Sequence, residues 1–239
     1  MADFAGADGE LRELALFAGA GGGMLGGKLL GWRTVCAVEY EPYPACVLAQ
    51  RQNDGLLPPF PIWDDVRTFD GKPWRGIVDG VSGGFPCQAY SAAAAGKNTA
   101  DDLWPEMRRI VADVAPRLVF AENVSRRAIE RSAIDLTAMG YKAKAISLSA
   151  KDLGADHVRK RYWIRAYAND ESELFSEVYA EMAVSKSICD GVWETNPGKS
   201  RVANGVPARV DRLKAIGNGQ VPQCAAAAWI ILTEQQVKK

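Results

Sequence analysis

The chain has 239 residues, enough for one α/β domain with a sizeable core and a small appendage. Hydrophobic residues make up 48% and charged residues 24%, which is ordinary for a soluble globular protein. Because the formal net charge is zero, bulk charge does not indicate a nucleic-acid partner, and any basic surface must be local.

The cysteines and the apolar stretches narrow the class of protein further. The five cysteines are scattered and form no CxxC pair, so no metal site is predicted, neither zinc nor iron–sulfur. An odd number of cysteines without a signal peptide favours a reducing, cytoplasmic setting. The apolar stretches are far too short to span a bilayer, so no membrane association is expected.

The first predicted unit is a strand, a glycine-rich turn and a helix. Residues 11–17 are a short apolar strand, residues 18–23 are the turn, and a helix over 24–30 ends at Gly31. Glycines allow tight turning and let a ligand approach the main chain closely. The pattern favours a nucleotide-type ligand, and a plain tight turn is the alternative.

A second strand over 34–38 ends at Glu39. An acidic residue about 20 positions after the glycines occupies the ribose-binding position of nucleotide-type folds. Pro42 opens a helix to residue 52. Residues 63–66 are predicted as a third strand end, where Asp65 either accepts from an amino group or closes a turn.

A cysteine then follows an apolar run. Residues 76–81 are predicted as a buried strand, and Cys87 lies in the Gly/Pro-punctuated loop after it. Ligands of open α/β sheets bind at the carboxyl ends of strands. A nucleophile therefore explains Cys87 better than a small buried hydrophobe does. The loop continues with small residues to Asn98, as in a mobile lid, and Asp101 and Asp102 cap a helix to residue 115.

The next strand, over residues 117–121, delivers Glu122, Asn123 and Val124 to the same edge of the sheet. Ser125 is predicted to cap a helix to Met139, and residues 141–149 alternate as a strand. Arg159 and Arg161 lie two positions apart in an extended segment, so both face one side. His157, the only histidine, is interpreted as structural.

Composition shifts after residue 166. Residues 167–206 are irregular and acidic at their start, and a final apolar helix spans 225–232.

A thiolate, a carboxyl and two arginines beside a nucleotide-type pocket fit alkylation of C5 of a pyrimidine. Thiolate addition at C6 with protonation at N3 makes C5 nucleophilic toward a methyl sulfonium. A base then removes the C5 proton and the thiol is expelled.

The chain resembles the DNA cytosine-5 methyltransferase family, over residues 14–166 and 209–232 and in the family's motif order. The matching motifs are Phe17-Ala18-Gly19-Ala20-Gly21-Gly22, Gly84-Phe85-Pro86-Cys87-Gln88 with Ser91, Glu122-Asn123-Val124, Arg159-Lys160-Arg161, and Gly217-Asn218 followed by Val221. The resemblance implies an α/β, Rossmann-like class I S-adenosylmethionine-dependent methyltransferase fold with a mixed sheet flanked by helices. It places the catalytic domain at 11–166 plus 207–239 and a reduced target-recognition region at 167–206.

The resemblance also implies roles for individual residues. Cys87 would be the nucleophile, Glu122 would hold cytosine at N3 and the exocyclic amine, and Arg159 and Arg161 would bind the O2 edge and a phosphate or brace the loop. The implied S-adenosylmethionine shell is Phe17, Ala18, Gly19, Gly21, Gly22, Glu39, Tyr40, Asp65, Val66, Pro86, Leu103 and Asn218. The implied substrate contacts are Phe85, Gln88, Ser91, Asn123 and Val124.

Double-stranded DNA is the implied substrate, with the target base extruded from the duplex. The 167–206 interval is short for a recognition domain, which predicts a compact, phage- or prophage-like enzyme with a very short recognition site, or one that needs a protein partner or oligomer. The alternatives are a non-catalytic DNA-binding decoy that kept the fold and a nucleotide-dependent oxidoreductase, which leaves Cys87, Glu122 and the arginines unexplained.

Overall fold

The computed structural model describes residues 10–87, 102–168 and 209–237. Their strands form one seven-stranded sheet in the order β3-β2-β1-β4-β5-β7-β6. The strands are β1 Arg12–Leu16, β2 Arg33–Val38, β3 Ile62–Trp63, β4 Gly80–Gly84, β5 Leu118–Asn123, β6 Tyr141–Ser149 and β7 Lys160–Ala168. The first five are parallel, and β7 lies antiparallel between β5 and β6.

Helices cover both faces of this sheet, so the predicted α/β class with a mixed sheet is confirmed. They are α1 Gly22–Leu29, α2 Pro42–Asn53, α3 Trp104–Val114, α4 Arg126–Ala138, α5 Arg209–Asn218 and α6 Pro222–Val237. Ser125 caps α4 as predicted, because its side chain accepts from the Ala128 N–H. The N-cap residue of α3 is Leu103, and Asp102 before it accepts from the Trp104 N–H at 3.2 Å, whereas Asp101 lies outside the described residues.

The hydrophobic core is divided between the two faces by the alternation of side chains along each strand. On one face, residues of α3 and α4 such as Trp104 and Leu136 share a buried cluster with Leu14 and Leu16 of β1. On the other face, α6 packs against α1 and the sheet. The Trp229 ring there lies 4.5 Å from the Trp32 ring between centroids, edge to face.

The predicted position of β4 along the sequence was wrong. The apolar run 76–81 suggested the strand, but β4 begins at Gly80. Ile77 is 48% exposed, and its N–H donates to the Trp74 carbonyl at 3.0 Å, closing a turn. Three of its five residues are glycines, and β4 lies centrally between β1 and β5. A Cβ on Gly83 would lie 2.7 Å from the Leu16 carbonyl oxygen.

The carboxyl-terminal helices were only partly predicted. Helix α5 was not predicted, and α6 begins three residues before the predicted start. Close contact between α6 and α1 needs a small residue, since a Cβ on Gly26 would lie 2.7 Å from the Ala225 Cβ. Most of the 84–98 loop and of the 167–206 interval lies outside the described residues. Across residues 10–87, 102–168 and 209–237, the helices are too short or too polar to cross a bilayer.

Candidate active site

A cavity of about 570 Å³ opens at the carboxyl ends of β1, β2, β4 and β5. It lies where ligands bind in open α/β sheets. Most of the predicted site residues line it, namely Phe17, Gly19, Glu39, Tyr40, Asp65, Val66, Phe85, Pro86, Cys87, Leu103, Glu122, Asn123, Val124, Arg161 and Asn218. Strand ends that are far apart in sequence therefore meet at one place.

The glycine-rich turn is fastened to the end of β2 through Glu39. The Gly19 N–H donates to Oε2 of Glu39 at 2.6 Å, and the Glu41 N–H donates to Oε1 at 2.8 Å. Burial raises the pKa of Glu39, although these backbone hydrogen bonds oppose the shift. Gly19 has φ +54° and open space where a Cβ would stand, so its main chain is accessible to a ligand. Phe17 also has positive φ, 51°, an uncommon conformation for a bulky residue.

Asp65 closes a turn, which was one of the two alternatives left open by the sequence, and it also lines the cavity. Its Oδ1 accepts from the Arg67 N–H at 2.9 Å. The neighbouring Val66 is buried, and its carbonyl accepts from Nη2 of Arg109 at 2.8 Å. The loop after β3 is thus held in place by α3, with one acidic side chain facing the cavity.

Cys87 lies in the cavity wall, with 4% of its surface exposed. Its main chain forms an isolated antiparallel bridge with Asp102, and the Leu103 N–H donates to the Pro86 carbonyl at 3.2 Å. Asp102 is itself paired with both terminal nitrogens of Arg131 from α4, at 2.5 and 3.0 Å. Cys87 and Asp102, which flank the segment 88–101, are therefore held side by side.

Glu122 stands at the end of β5, next to the strand that leads to Cys87, and Gly84 is its partner in the ladder. Only 6% of its surface is exposed. Nε of Arg161 lies 2.9 Å from its Oε1 as an ion pair, and the Gln220 side chain hydrogen-bonds to it. Burial raises the pKa of Glu122 to about 7, against the opposing effects of Arg161, Arg159 and Gln220.

Arg159 does not line the cavity. Its Nη2 donates to the carbonyl oxygens of Gly217 and Gly219, at 2.7 and 2.5 Å. The two arginines of the predicted pair therefore have different contacts. Arg161 contacts the buried acid, and Arg159 fastens the turn between α5 and α6.

Three members of the predicted cofactor shell also lie outside the cavity lining. A Cβ on Gly21 would lie 2.8 Å from Cδ2 of Leu48, and a Cβ on Gly22 would lie 2.0 Å from the Gln220 carbonyl oxygen. These glycines allow close packing around the start of α1. Ala18 borders a smaller cavity beside the turn. Gln88 and Ser91 lie outside the described residues.

The family model for C-5 cytosine-specific DNA methylases matches residues 11–204. The chain belongs to this family. The Type II methyltransferase M.NgoMIV of Neisseria gonorrhoeae is 31% identical over 181 residues, which cover 70% of this chain and 54% of that relative. The match to the family model ends before α5, so the resemblance of Gly217-Asn218 to the last methylase motif rests on the residues themselves.

Solved methyltransferases share the fold. A candidate DNA modification methyltransferase encoded within an E. coli prophage has 25% identity and a TM-score of 0.53, covering 67% of this methylase chain and 47% of its own. The S. pombe Dnmt2 methyltransferase has 22% identity and a TM-score of 0.53, covering 70% of this chain and 56% of its own. The chain spans about half the length of the relatives named here.

Sequence reasoning missed the residues that α2 and α5 contribute to the methylase cavity. They are Tyr43, Pro44, Asp211, Lys214 and Ala215. Nζ of Lys214 lies 2.7 Å from Oε1 of Glu41, which joins α5 to the start of α2 across the rim. The position of Tyr43 and Pro44 soon after Glu39 was an available signal. For Lys214 the sequence carries none, because a predicted α5 would have been needed first.

Proposed function

We propose that the chain transfers a methyl group from S-adenosylmethionine to C5 of cytosine in double-stranded DNA, through a covalent bond between Cys87 and C6. The observation that carries the proposal is that Cys87 and Glu122 line one cavity, from neighbouring strand ends, with Arg161 against the acid. Membership of the C-5 cytosine methylase family supports it.

The carboxyl ends of β1 and β2 fit the cofactor. The cavity volume of about 570 Å³ lies within the range of about 300–1,000 Å³ typical of small-molecule sites. The exposed main chain at Gly19, the aromatic ring of Phe17 and the carboxylates of Glu39 and Asp65 would hold the adenosine and methionine parts. When bound, S-adenosylmethionine supplies an electrophilic methyl group.

Glu122 is suited to the N3 edge of cytosine. With a pKa near 7, its carboxyl can carry a proton at neutral pH and donate it toward N3. Beyond its ion pair with Nε of Arg161 at 2.9 Å, the buried Oε1 accepts no hydrogen bond from the described residues, so it keeps a lone pair for the exocyclic amine of the base. Arg161 fixes the carboxyl and carries positive charge for the O2 edge.

Cys87 attacks C6 as the thiolate. The sulfur bonds to C6 while N3 takes a proton, so the electron pair of the C5–C6 double bond becomes available at C5. After C5 is methylated, loss of the C5 proton to a base restores the double bond and expels the sulfur. The bridge from Cys87 to Asp102 keeps the cysteine beside the amino end of α3, whose dipole favours a thiolate.

The remaining parts of the proposal concern DNA. The target base leaves the duplex, and the segment after Cys87, including Gln88 and Ser91, closes behind it. Phe85, Asn123 and Val124 border the base. Asn123 also supports the loop, because its Nδ2 donates to the Phe85 carbonyl at 2.8 Å. Residues 11–166 plus 207–239 form the catalytic domain, 167–206 contacts DNA alone or with a protein partner, and the enzyme acts in the bacterial cytoplasm.

A mechanism-based trap tests the nucleophile. Duplex DNA carrying 5-fluorocytosine retains fluorine at C5, so the base cannot lose a proton there and the sulfur stays bonded to C6. With S-adenosylmethionine added, we expect mass spectrometry to find the adduct on the peptide that contains Cys87.

Cys87→Ser should form no adduct, whereas Cys46→Ser, at an exposed position on α2, should form it as the wild type does. An adduct on another cysteine would overturn the assignment. A parallel assay incubates the protein with tritiated S-adenosylmethionine and unmodified DNA and measures the label in the DNA. A methyltransferase labels the DNA, whereas a non-catalytic decoy leaves it unlabelled.

A further inference from the structure

The turn between α5 and α6 carries a side chain into the region behind Glu122. Gln220 follows Gly219 in this turn and does not line the main cavity. Its amide instead reaches the Glu122 carboxylate, to which it hydrogen-bonds. Because Oε1 of Glu122 accepts no hydrogen bond in the described residues, the bond goes to Oε2.

Two glycines provide the passage for this side chain. A Cβ on Gly84 would lie 2.9 Å from Nε2 of Gln220 and 2.8 Å from Oε2 of Glu122. A Cβ on Gly23 would lie 2.3 Å from Oε1 of Gln220. The amide therefore passes between the start of α1 and the end of β4, with its nitrogen toward the acid and its oxygen toward α1.

The turn itself is fixed by Arg159, whose Nη2 donates to the carbonyls on either side of Asn218. The guanidinium is thus one link in a chain of contacts that runs through the turn to Gln220 and then to Glu122. Among the described residues, the charged groups facing Glu122 are Arg161 of β7 and Arg159 just before that strand, and the Cys87 thiol borders the same cavity.

We propose that Gln220 is a positioning residue for Glu122: its amide nitrogen holds Oε2 while Arg161 lies against Oε1, so that the orientation of the carboxyl toward the base is fixed from both sides. The inference rests on the proposed function for its catalytic consequence, but the contact itself does not. A hydrogen bond donated to a carboxylate favours the charged form. Without Gln220, Glu122 should keep its proton to higher pH and should be less well oriented.

The test uses Gln220→Met, which keeps the length of the side chain and removes the donor. Glutamate labelled with ¹³C at the carboxyl reports the titration of Glu122 in the full chain, assigned by the signal that Glu122→Gln removes. We expect the pKa of Glu122 to be higher by about one pH unit in Gln220→Met. The control is Gln223→Met, in the first turn of α6, which should leave the titration where the wild type has it.

The kinetic readout is the pH profile of DNA methylation. If neutral Glu122 acts at N3, the alkaline limb of kcat/KM should move upward with the pKa. At the optimum, kcat should fall about tenfold and the KM for DNA should stay within about twofold, as expected when orientation is lost. An unchanged Glu122 titration in a folded Gln220→Met protein would overturn the inference. If Gln220→Met shifts the Glu122 titration but the wild-type protein transfers no methyl group to DNA, the inference about the contact stands and the proposed function is overturned.

Discussion

At the scale of single residues, Glu122 is destabilising in its charged form. Its pKa of about 7 exceeds the ordinary 4.5, so the folded chain binds a proton that the unfolded chain has already released between those pH values. Stability therefore falls as pH rises through this window, by about 3 kcal/mol from this one group. A buried acid that lowers stability at the working pH is typical of a functional residue.

Glu122→Gln should remove this dependence. Relative to the wild type, the variant should gain about 3 kcal/mol in the free energy of unfolding between pH 4 and pH 8. Urea denaturation at the two pH values measures it. Burial also raises the pKa of Glu13 and Glu39, but these residues are present in both proteins and cancel in the comparison. Glu130→Gln, exposed on α4, is the control for removing one negative charge. Equal pH dependence in Glu122→Gln and the wild type would contradict the prediction.

The residues that the sequence revealed are those whose chemistry is uncommon in their setting. A cysteine between Pro86 and Gln88 and an acid at the end of an apolar strand were both visible, and both line the cavity. Gln220 was not singled out, because a glutamine in a turn is ordinary. Its role depends on the absence of side chains at Gly23 and Gly84, which becomes apparent only when three distant segments meet.

At the scale of elements, β4 shows where pattern reasoning fails. Apolar periodicity identifies strands that bury large side chains, and β1, β2, β5 and β6 were predicted within two residues at each end. Three of the five residues of β4 are glycines, so most of the apolar run that suggested this strand lies in the turn before it. Its glycines are needed because Gly83 lies close to the main chain of β1 and Gly84 lies close to the Glu122 carboxylate.

The two ends of β4 should respond differently to one added methyl group. Gly84→Ala should lower kcat by at least about tenfold and stability by about 1–3 kcal/mol, because its Cβ would lie 2.8 Å from Oε2 of Glu122. Gly80→Ala is the matched control, since its Cβ would lie 3.4 Å from the nearest atom, Cδ2 of Leu11. Methylation rates and denaturation of both variants provide the measurement. Full activity in Gly84→Ala would show that the acid tolerates displacement.

At the scale of the whole molecule, the seven-stranded sheet and its helices take up the described residues, while the interval after β7 is short. With zero formal net charge and only about 40 residues between β7 and α5, little of the chain remains for contacts with bases. We expect methylation at a very short or loosely defined site. Bisulfite sequencing of plasmid methylated by the purified enzyme measures this, with Cys87→Ser as the blank. A long fixed motif in every methylated cytosine would contradict it.

The buried cluster under α6 contains Leu118 and Trp163 from before that interval and Ala226 and Trp229 from after it. Strands that precede the interval and the helix α6 that follows it therefore share one hydrophobic cluster. Doubling the length of the interval between them costs only about 0.6 kcal/mol of closure entropy. If the interval contacts DNA as proposed, its exchange is expected to alter which DNA sites are modified and to leave the cavity residues unchanged.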